Sequence, residues 1–393
     1  MAAMKLFKLA PRTAFHFGQR GVGVEGAQVF CHADTLFSAL CLTLRELEPE
    51  GSTALTGLLE QFPRQGHSTG PPPFRLTSGF PYAGEVLFFP KPLVLGNLGS
   101  ATRQEHGKTL KEVEFVSQGI FTAWLNNEAL DDYLKEDENF LHGGDLWVTP
   151  AERKALEAFR NEDASKVRLW KSDPVPRVTV DRVTSRSAVY QAGRVRYRRV
   201  KDGLRAGLWV LVDWLGDEHP AFIPPRVGGE RGGVGWLTKL FAVLGDSGIG
   251  GERSAGYGQF DLEESTDFAG FGIQGQHERW LTLATYHPRS DELGGDSVLG
   301  KDSAYTLLLR RGWVASPEGM SLRRPLVRML GEGSVLHHPK EGERESYGDL
   351  ADVTPKVMYP TAGGTGHKVW RYGIAFPVPV GIPVPEKGEE VAT

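Results

Sequence analysis

The chain has 393 residues, which at about 150 residues per domain leaves room for two to three domains. Hydrophobic residues make up 40% and charged residues 24%, near globular averages, and this sets aside a disordered, collagen-like or coiled-coil chain. The formal charge of -4 does not mark a roaming nucleic-acid binder, and 49 glycines, about 12% against a usual 7% or so, speak for turns and close backbone approaches rather than a helical bundle.

Met4 to Leu9 alternates apolar and polar residues as a half-buried strand does, and Phe15 to Phe17 continues it past Pro11. Asp34 and Thr35 offer N-cap oxygens to a helix in which Leu36, Leu40, Leu44 and Leu47 recur at helical spacing until Pro49 and Gly51 stop it. Phe74 to Tyr82 and Val86 to Phe89 read as strands joined at Ala83-Gly84, the second ended by Pro90 and Pro92. Thr122 to Phe140 and Ala151 to Ala164 are charged helical patterns, expected as a surface insertion spanning roughly residues 95 to 170.

Val178 to Val183 and Arg194 to Val200 read as arms of a hairpin, followed by an apolar strand from Leu204 to Leu215. Between Arg177 and Arg205 nine basic residues face only Asp181 and Asp202, so this window carries +7 and the rest of the chain -11. Gly235 to Leu244 is an amphipathic helix led by Trp236, Leu240 and Phe241, and it runs into a glycine-rich stretch from Gly245 to Phe260. Glu264 to Gln276 is the expected boundary between an N-terminal part (1-266) and a C-terminal one (275-380). Beyond it Trp280 to Tyr286, Tyr305 to Val314, Pro325 to Leu330 and Val369 to Phe376 read as strands, and Pro377 to Thr393 as a fraying tail. Hairpins and helices are interspersed rather than strictly alternating, which favours an α+β fold of antiparallel layers.

Cys31 and Cys41 are the only cysteines and form neither a disulfide framework nor a zinc motif, and His337-His338 finds no ligand set by spacing, so no metal or cofactor is expected. No apolar run approaches the 18 or so residues of a membrane span, and Met1 to Leu9 lacks a secretory hydrophobic region; a reducing cytoplasm is the expectation. Gly21 to Gly26 matches GxGxxG, but the extended pattern of Ala27 to Cys31 denies it the helix a dinucleotide site needs. Gly107-Lys108-Thr109 lacks the upstream glycine of a P-loop.

Two segments suit single-stranded RNA. The glycines of the Gly245 to Phe260 stretch permit tight turns whose amide N-H groups can cradle phosphates, while Arg253, followed by Ser254, supplies charge and Tyr257 a stacking face. The basic hairpin interleaves Arg186, Arg194, Arg196 and Arg198 with Tyr190 and Tyr197. His16, His32 and Asp34 could instead serve acid-base cleavage of RNA, although Asp34 has a sufficient role as a helix cap.

The ordered blocks His32-Ala-Asp-Thr-Leu-Phe-Ser-Ala-Leu40, Ser78-Gly-Phe-Pro-Tyr82, Phe88-Phe-Pro-Lys-Pro92, Asp181-Arg-Val-Thr184, Gly250 to Gly258, Gly333-Ser-Val335 and Trp370-Arg-Tyr-Gly373 resemble the RAMP superfamily of CRISPR proteins. Within it they are similar to the subunit that caps the guide RNA 5′ end in type III-A interference complexes. The resemblance implies two ferredoxin-like (RRM-related) modules with antiparallel sheets, a helical insertion and a protruding basic hairpin. It also implies a non-catalytic subunit that grips the repeat-derived 5′ handle of crRNA beside a large polymerase-like subunit and a RAMP backbone subunit. Its sites fall on Gly248, Gly250, Gly251, Arg253, Ser254, Gly256 and Gly258 of the glycine-rich loop, on Arg182 and Thr184 of the Asp181 block, and on His32, Thr35 and Ser38 at the helix start, where helix N-H groups can meet a phosphate. Two alternatives remain open at this point: a metal-independent repeat endoribonuclease using His16 or His32, and a purely protein-binding scaffold.

Overall fold

The structure is a computed structural model. It describes residues 4–18, 26–48, 52–67, 70–160, 167–180, 183, 186–200, 203–216, 233–263, 265–274, 277–294, 297–314, 322–339, 344–355 and 367–381. In chain order, β1 (Lys5–Pro11) precedes a short ribbon of β2 (Phe17–Gly18) and β3 (Ala27–Gln28), then α1 (Ala33–Leu47), α2 (Ala54–Glu60), β4 (Phe74–Leu76), β5 (Phe80–Ala83) and β6 (Val86–Pro90). Next come α3 (Ser100–Glu112), β7 (Phe115–Ser117), α4 (Gln118–Leu125), β8 (Phe140–Leu141), β9 (Leu146–Trp147), α5 (Pro150–Ala155), β10 (Trp170–Val180), β11 (Ser187–Tyr197), β12 (Ala206–Trp214) and α6 (Gly233–Ser247). The remainder is β13 (Phe260–Leu262), β14 (Thr266–Asp267), β15 (Arg279–Thr282), β16 (Leu307–Arg310), β17 (Val327–Leu330), β18 (Val335–His337), β19 (Leu350–Asp352), β20 (Trp370–Tyr372) and β21 (Pro377–Val380).

The main sheet runs β13-β1-β12-β5-β6-β7-β9-β8, antiparallel except where β7 meets β9, with β4 and β14 paired to β12 and β1. β12 reads as an unbroken apolar run because it lies between β1 and β5 with both faces covered; only Asp213 is less than buried. Against this sheet α1 buries Leu36, Leu40 and Leu44, each burial contributing roughly 1.5–3 kcal/mol, while Leu47 stays half exposed at the helix end. Helix α6 lays Phe241 on Phe7 of β1 at a ring separation of 5.0 Å.

Several expectations change. His32, not Asp34, occupies the N-cap of α1; Asp34 lies inside the first turn with its carboxylate committed elsewhere. The expected surface insertion instead extends the sheet, because β7, β8 and β9 add strands beyond β6 and bury Trp147 and Val148 completely. Its Thr122-to-Phe140 helix stops at Leu125: Asn127 takes a left-handed φ of 57°, and short 3-10 turns at Asp131–Leu134 and Asp137–Asn139 follow. The second charged helix likewise ends at Ala155, held at its start by a Thr149/Glu152 capping box.

The basic hairpin is longer than its charge pattern suggests, with β10 and β11 paired from Trp170↔Tyr197 to Val180↔Ser187. Pro377–Val380 does not fray; it pairs with β15, which in turn pairs with β18. Among the described residues of 277–381 the only helical turn is a 3-10 one at Ser290–Glu292, and β16 with β17, like β19 with β20, forms a short two-stranded ribbon.

One hydrophobic core runs from Phe7 and Leu9 through Trp209 and Phe241 to Leu281, Leu350, Tyr372 and Val380, so both parts of the chain share it. Polar ties cross at the same seam: the Leu76 N–H donates to the Tyr372 hydroxyl (3.1 Å) and the Ser78 N–H to the Leu283 carbonyl (2.9 Å).

Candidate nucleic-acid interface

The glycine-rich loop begins where α6 ends. Gly248 adopts φ +79° and gives its N–H to the Leu244 carbonyl (2.7 Å), the left-handed exit typical of a helix C-terminus. The loop then folds back on the chain after β1: the Gly258 N–H donates to Ala14 (2.8 Å), Gly251 to His16 (2.9 Å) and Ile249 to Gly258 (3.0 Å). At Gly250 (φ +93°) a Cβ would stand 2.6 Å from the His16 carbonyl oxygen, and at Gly258 (φ +89°) 2.3 Å from that of Ile249. Several amides expected to cradle a phosphate are therefore engaged within the protein, and the glycines there let backbone pack on backbone. Among the described residues the amides of Gly250 and Glu252 have no hydrogen-bond partner. Arg253, Ser254 and Gly256 are exposed on a 3-10 turn, whereas Tyr257 is buried beneath the Arg177 guanidinium, 5.3 Å from its ring centre.

His16 is buried and its Nδ1–H donates to the Gly193 carbonyl (2.6 Å), tying the loop to the hairpin. His32 is likewise buried, with Nδ1 2.8 Å from Glu332. Burial alone would raise the Glu332 carboxyl, but the His32 ring and the Ser78 hydroxyl hold it below its usual value.

Asp34 is fully buried and receives Arg310 through two hydrogen bonds (2.7 and 3.0 Å) and Arg371 through a third. Desolvation opposes its ionised form, yet these guanidinium groups hold its carboxyl far below the usual carboxylate range. A cavity of about 400 Å³ opens over this cluster, lined on one side by Gly248, Gly250, Gly251 and Arg253 and on another by His32, Thr35 and Ser38. Its far wall, missed from the sequence, is Arg310, Arg311, Trp313, Arg324 and Arg371. The signal was present as Arg310-Arg311, inside the expected strand 305–314, and Arg323-Arg324, just before the expected strand 325–330, but nothing in the sequence brings the two pairs together.

A second groove of about 1210 Å³ lies at the base of the hairpin and shares Gln28 with the first. Arg196 and Arg198 line it with Lys91, Arg168 and the paired rings of Trp170 and His142, 4.0 Å apart. Burial, and then Arg168, pushes His142 down to about 4, so its ring is neutral, and Nδ1 accepts the Leu169 N–H. Arg198 is spent on the carbonyls of Phe159 and Arg160, and Arg194 on Asp173 (3.1 Å twice), whose carboxyl it holds below its usual value. Arg186 and Arg196 are exposed. Asp181, Arg182 and Thr184, like Gly21 to Glu25 of the GxGxxG match, lie outside the described residues.

The loop, the start of α1 and the C-terminal arginines thus converge on one basic cavity, with the hairpin rising beside it. Among the described residues no group of three or more His, Cys, Asp or Glu side chains could hold a metal ion, and no helix is long and apolar enough to cross a membrane.

A family model of the CRISPR Csm4 C-terminal domain matches residues 275–380. A protein described as CRISPR system Cms protein Csm4 from Mycobacterium tuberculosis (strain CDC 1551 / Oshkosh) is 28% identical over 329 residues, 83% of this chain and 86% of that protein. Its counterpart from Thermococcus onnurineus (strain NA1) is 24% identical over 360 residues, 89% and 92% of the two chains. Over most of its length the chain is thus similar to Csm4 proteins, and its residues 275–380 match the Csm4 C-terminal domain. In fold it is similar to a solved Csm3-Csm4 subcomplex of the type III-A CRISPR-Cas interference complex, with a TM-score of 0.59 at 16% identity over 96% of this chain and 99% of that one. Both Arg310-Arg311 and Arg371 of the basic cavity fall inside the region matched by the Csm4 family model.

Proposed function

We propose that this Csm4-like chain is a non-catalytic RNA-binding subunit of a type III-A CRISPR effector complex, holding the repeat-derived 5′ handle of crRNA and docking the large polymerase-like subunit and the RAMP backbone subunit. The observation that carries the RNA reading is the cavity in which Gly250, Gly251 and Arg253 face Arg310, Arg311 and Arg324: a chain of phosphates needs cations on one wall and room for backbone on the other. The order β13-β1-β12-β5 with α1 and α6 supports a ferredoxin-like N-terminal module, since the second β-α-β pair brackets the first in the 4-1-3-2 manner of RNA-recognition folds. A non-catalytic role is supported by His32, whose ring lines the cavity but is buried with Nδ1 committed to Glu332. A mildly acidic protein with local basic surfaces suits a fixed ribonucleoprotein position in the cytoplasm, where neighbours share the neutralisation of phosphate.

Binding of a repeat-derived 5′-handle RNA to the full chain, followed by fluorescence anisotropy, tests the reading. Gly250→Val forces a side chain onto the His16 carbonyl at a positive φ and is expected to weaken binding at least about tenfold, with the far-ultraviolet circular dichroism kept. Wild-type affinity in that variant would remove the loop from the site. RNA cleaved in EDTA by the wild-type chain, and left intact by His16→Ala, would replace the binding role with the nuclease one.

A further inference from the structure

The cluster beneath the cavity is electrostatically unfinished. Asp34 is the only carboxylate among the described residues lining it, against Arg253, Arg310, Arg311, Arg324 and Arg371. Arg310 and Arg371 consume that carboxylate, and Arg371 is only 3% exposed, with its Nε lacking any hydrogen-bond partner among the described residues. Arg324 reaches no acid among them: Nη1 has only the Ser38 hydroxyl at 3.5 Å, and its buried Nε has no partner. Burial, then repulsion from Arg371, pushes Arg324 down to about 10, as expected where positive charge is in surplus. A half-buried guanidinium without a counter-charge is costly, and a fold that keeps one at the wall of an open cavity has an anion to receive.

We propose that this cavity is a phosphate site in which Arg324, Arg311 and the Ser38 hydroxyl ligate one phosphate group, while Arg310 and Arg371 are held in place by Asp34. This rests on the RNA reading above in naming the occupant as a backbone phosphodiester; the shared chemistry is a phosphate group, bound in RNA or free. Gly250 and Gly251 form the wall across the cavity, and Trp313 at the rim is exposed and carries the Arg323 guanidinium 4.8 Å from its ring centre, adding one more cation beside the site.

The test uses the full chain and Arg324→Met. A merely structural arginine would lower the thermal midpoint on removal; here the free variant is expected to unfold at the same or a higher temperature, because a repelling half-buried charge is gone. Handle-RNA affinity is expected to fall about tenfold, and the slope of log K against log salt to shrink by about 0.7, the share of one single-strand phosphate. Inorganic phosphate, titrated at constant ionic strength, is expected to raise the midpoint of the wild type and not of the variant. RNA bound with unchanged affinity and slope by Arg324→Met overturns the phosphate site and leaves the RNA reading standing. If the wild type binds no RNA, that reading fails by itself; an Arg324-dependent rise with inorganic phosphate then upholds the site for a free phosphate ligand, and no rise overturns it. Should Arg324→Met not fold, Arg311→Gln on the exposed rim carries the same comparisons, with a smaller loss expected and an unchanged slope counting against the site.

Discussion

At the scale of single residues, Asp34 carries the most. Its side chain is the meeting point of α1, β16 and β20, and Arg371, 3% exposed, cannot withdraw to water if the carboxylate is neutralised. Asp34→Asn is expected to destabilise the chain by about 3–5 kcal/mol, the usual result of stripping one partner from a buried ion pair, measured by urea unfolding. The pH dependence follows from the sign of its shift. The folded-state carboxyl titrates far below its unfolded value, so its stabilisation is complete above the ordinary aspartate range near pH 4 and is lost as pH falls below it. The wild type should lose midpoint steeply on acidification below that range, and Asp34→Asn should show a shallower acid limb. His142 adds a separate window. It is neutral when folded, down to about 4, and protonates near 6.5 when unfolded, so stability falls as pH drops from about 6.5 towards 4. His142→Gln should flatten that interval without changing the limb due to Asp34. Gly333 illustrates a different residue-scale demand: at φ +81° a Cβ would lie 2.7 Å from the Lys91 carbonyl oxygen, where the Leu93 N–H returns to Gly333.

At the scale of elements, the hairpin of β10 and β11 separates into arginines with structural partners and arginines that project from its edge. Pairing puts Lys171 with Arg196 and Asp173 with Arg194 on the side that also carries Arg177 and Tyr190, whereas Pro176, Val178, Val180 and Val189 occupy the other side. Arg198→Ala is expected to lower the thermal midpoint, because its guanidinium closes the carbonyls of Phe159 and Arg160. Arg186→Ala with Arg196→Ala should change the midpoint little, since Arg196 gives up only an exposed 3.4 Å pair with Asp173, and should weaken handle-RNA binding, the salt slope falling by about 0.7 for each phosphate that is no longer neutralised. An unchanged slope in the pair would take the hairpin out of the RNA path. The glycine-rich loop behaves as the opposite kind of element: it is rigidified by its own backbone bonds to Ala14 and His16, so its contribution is shape, with Arg253 as its projecting charge.

At the scale of the whole molecule, the shared core makes the C-terminal strands part of the packing of the N-terminal sheet. Tyr372 lies against Phe37 and Phe62, with ring separations of 4.8 and 6.2 Å, and Glu332 closes on His32 from a distant part of the chain. A single cooperative thermal transition is therefore expected for the full chain. A fragment ending at residue 266 should fail to give one in calorimetry, since it would expose the faces of Phe37, Phe62 and Leu76 and leave Asp34 without either arginine. Two independent transitions would contradict this.

Local pattern was enough to reveal α1, α6, the β5/β6 turn, the β12 run and the basic hairpin, because each is written in adjacent residues: leucines at helical spacing, glycine at a tight turn, a continuous apolar stretch, arginines alternating along a ribbon. Ordered blocks such as His32 to Leu40 and Trp370 to Gly373 carried the family likeness for the same reason, and the structure gives them their physics, Asp34 meeting Arg371 and Tyr372 packing on Phe37. What only the tertiary structure decided lies between segments. Residues 34, 310, 324 and 371 are separated by tens to hundreds of positions, and no periodicity marks two arginines as partners of one carboxylate and a third as its surplus. The insertion's strands were hidden because two- and three-residue strands leave no alternation to read, and their place at the edge of the main sheet is set by the partner strand rather than by their own sequence. Sequence thus determined which pieces could form and where charge was concentrated; three-dimensional packing determined which charges were neutralised and which were left facing a cavity.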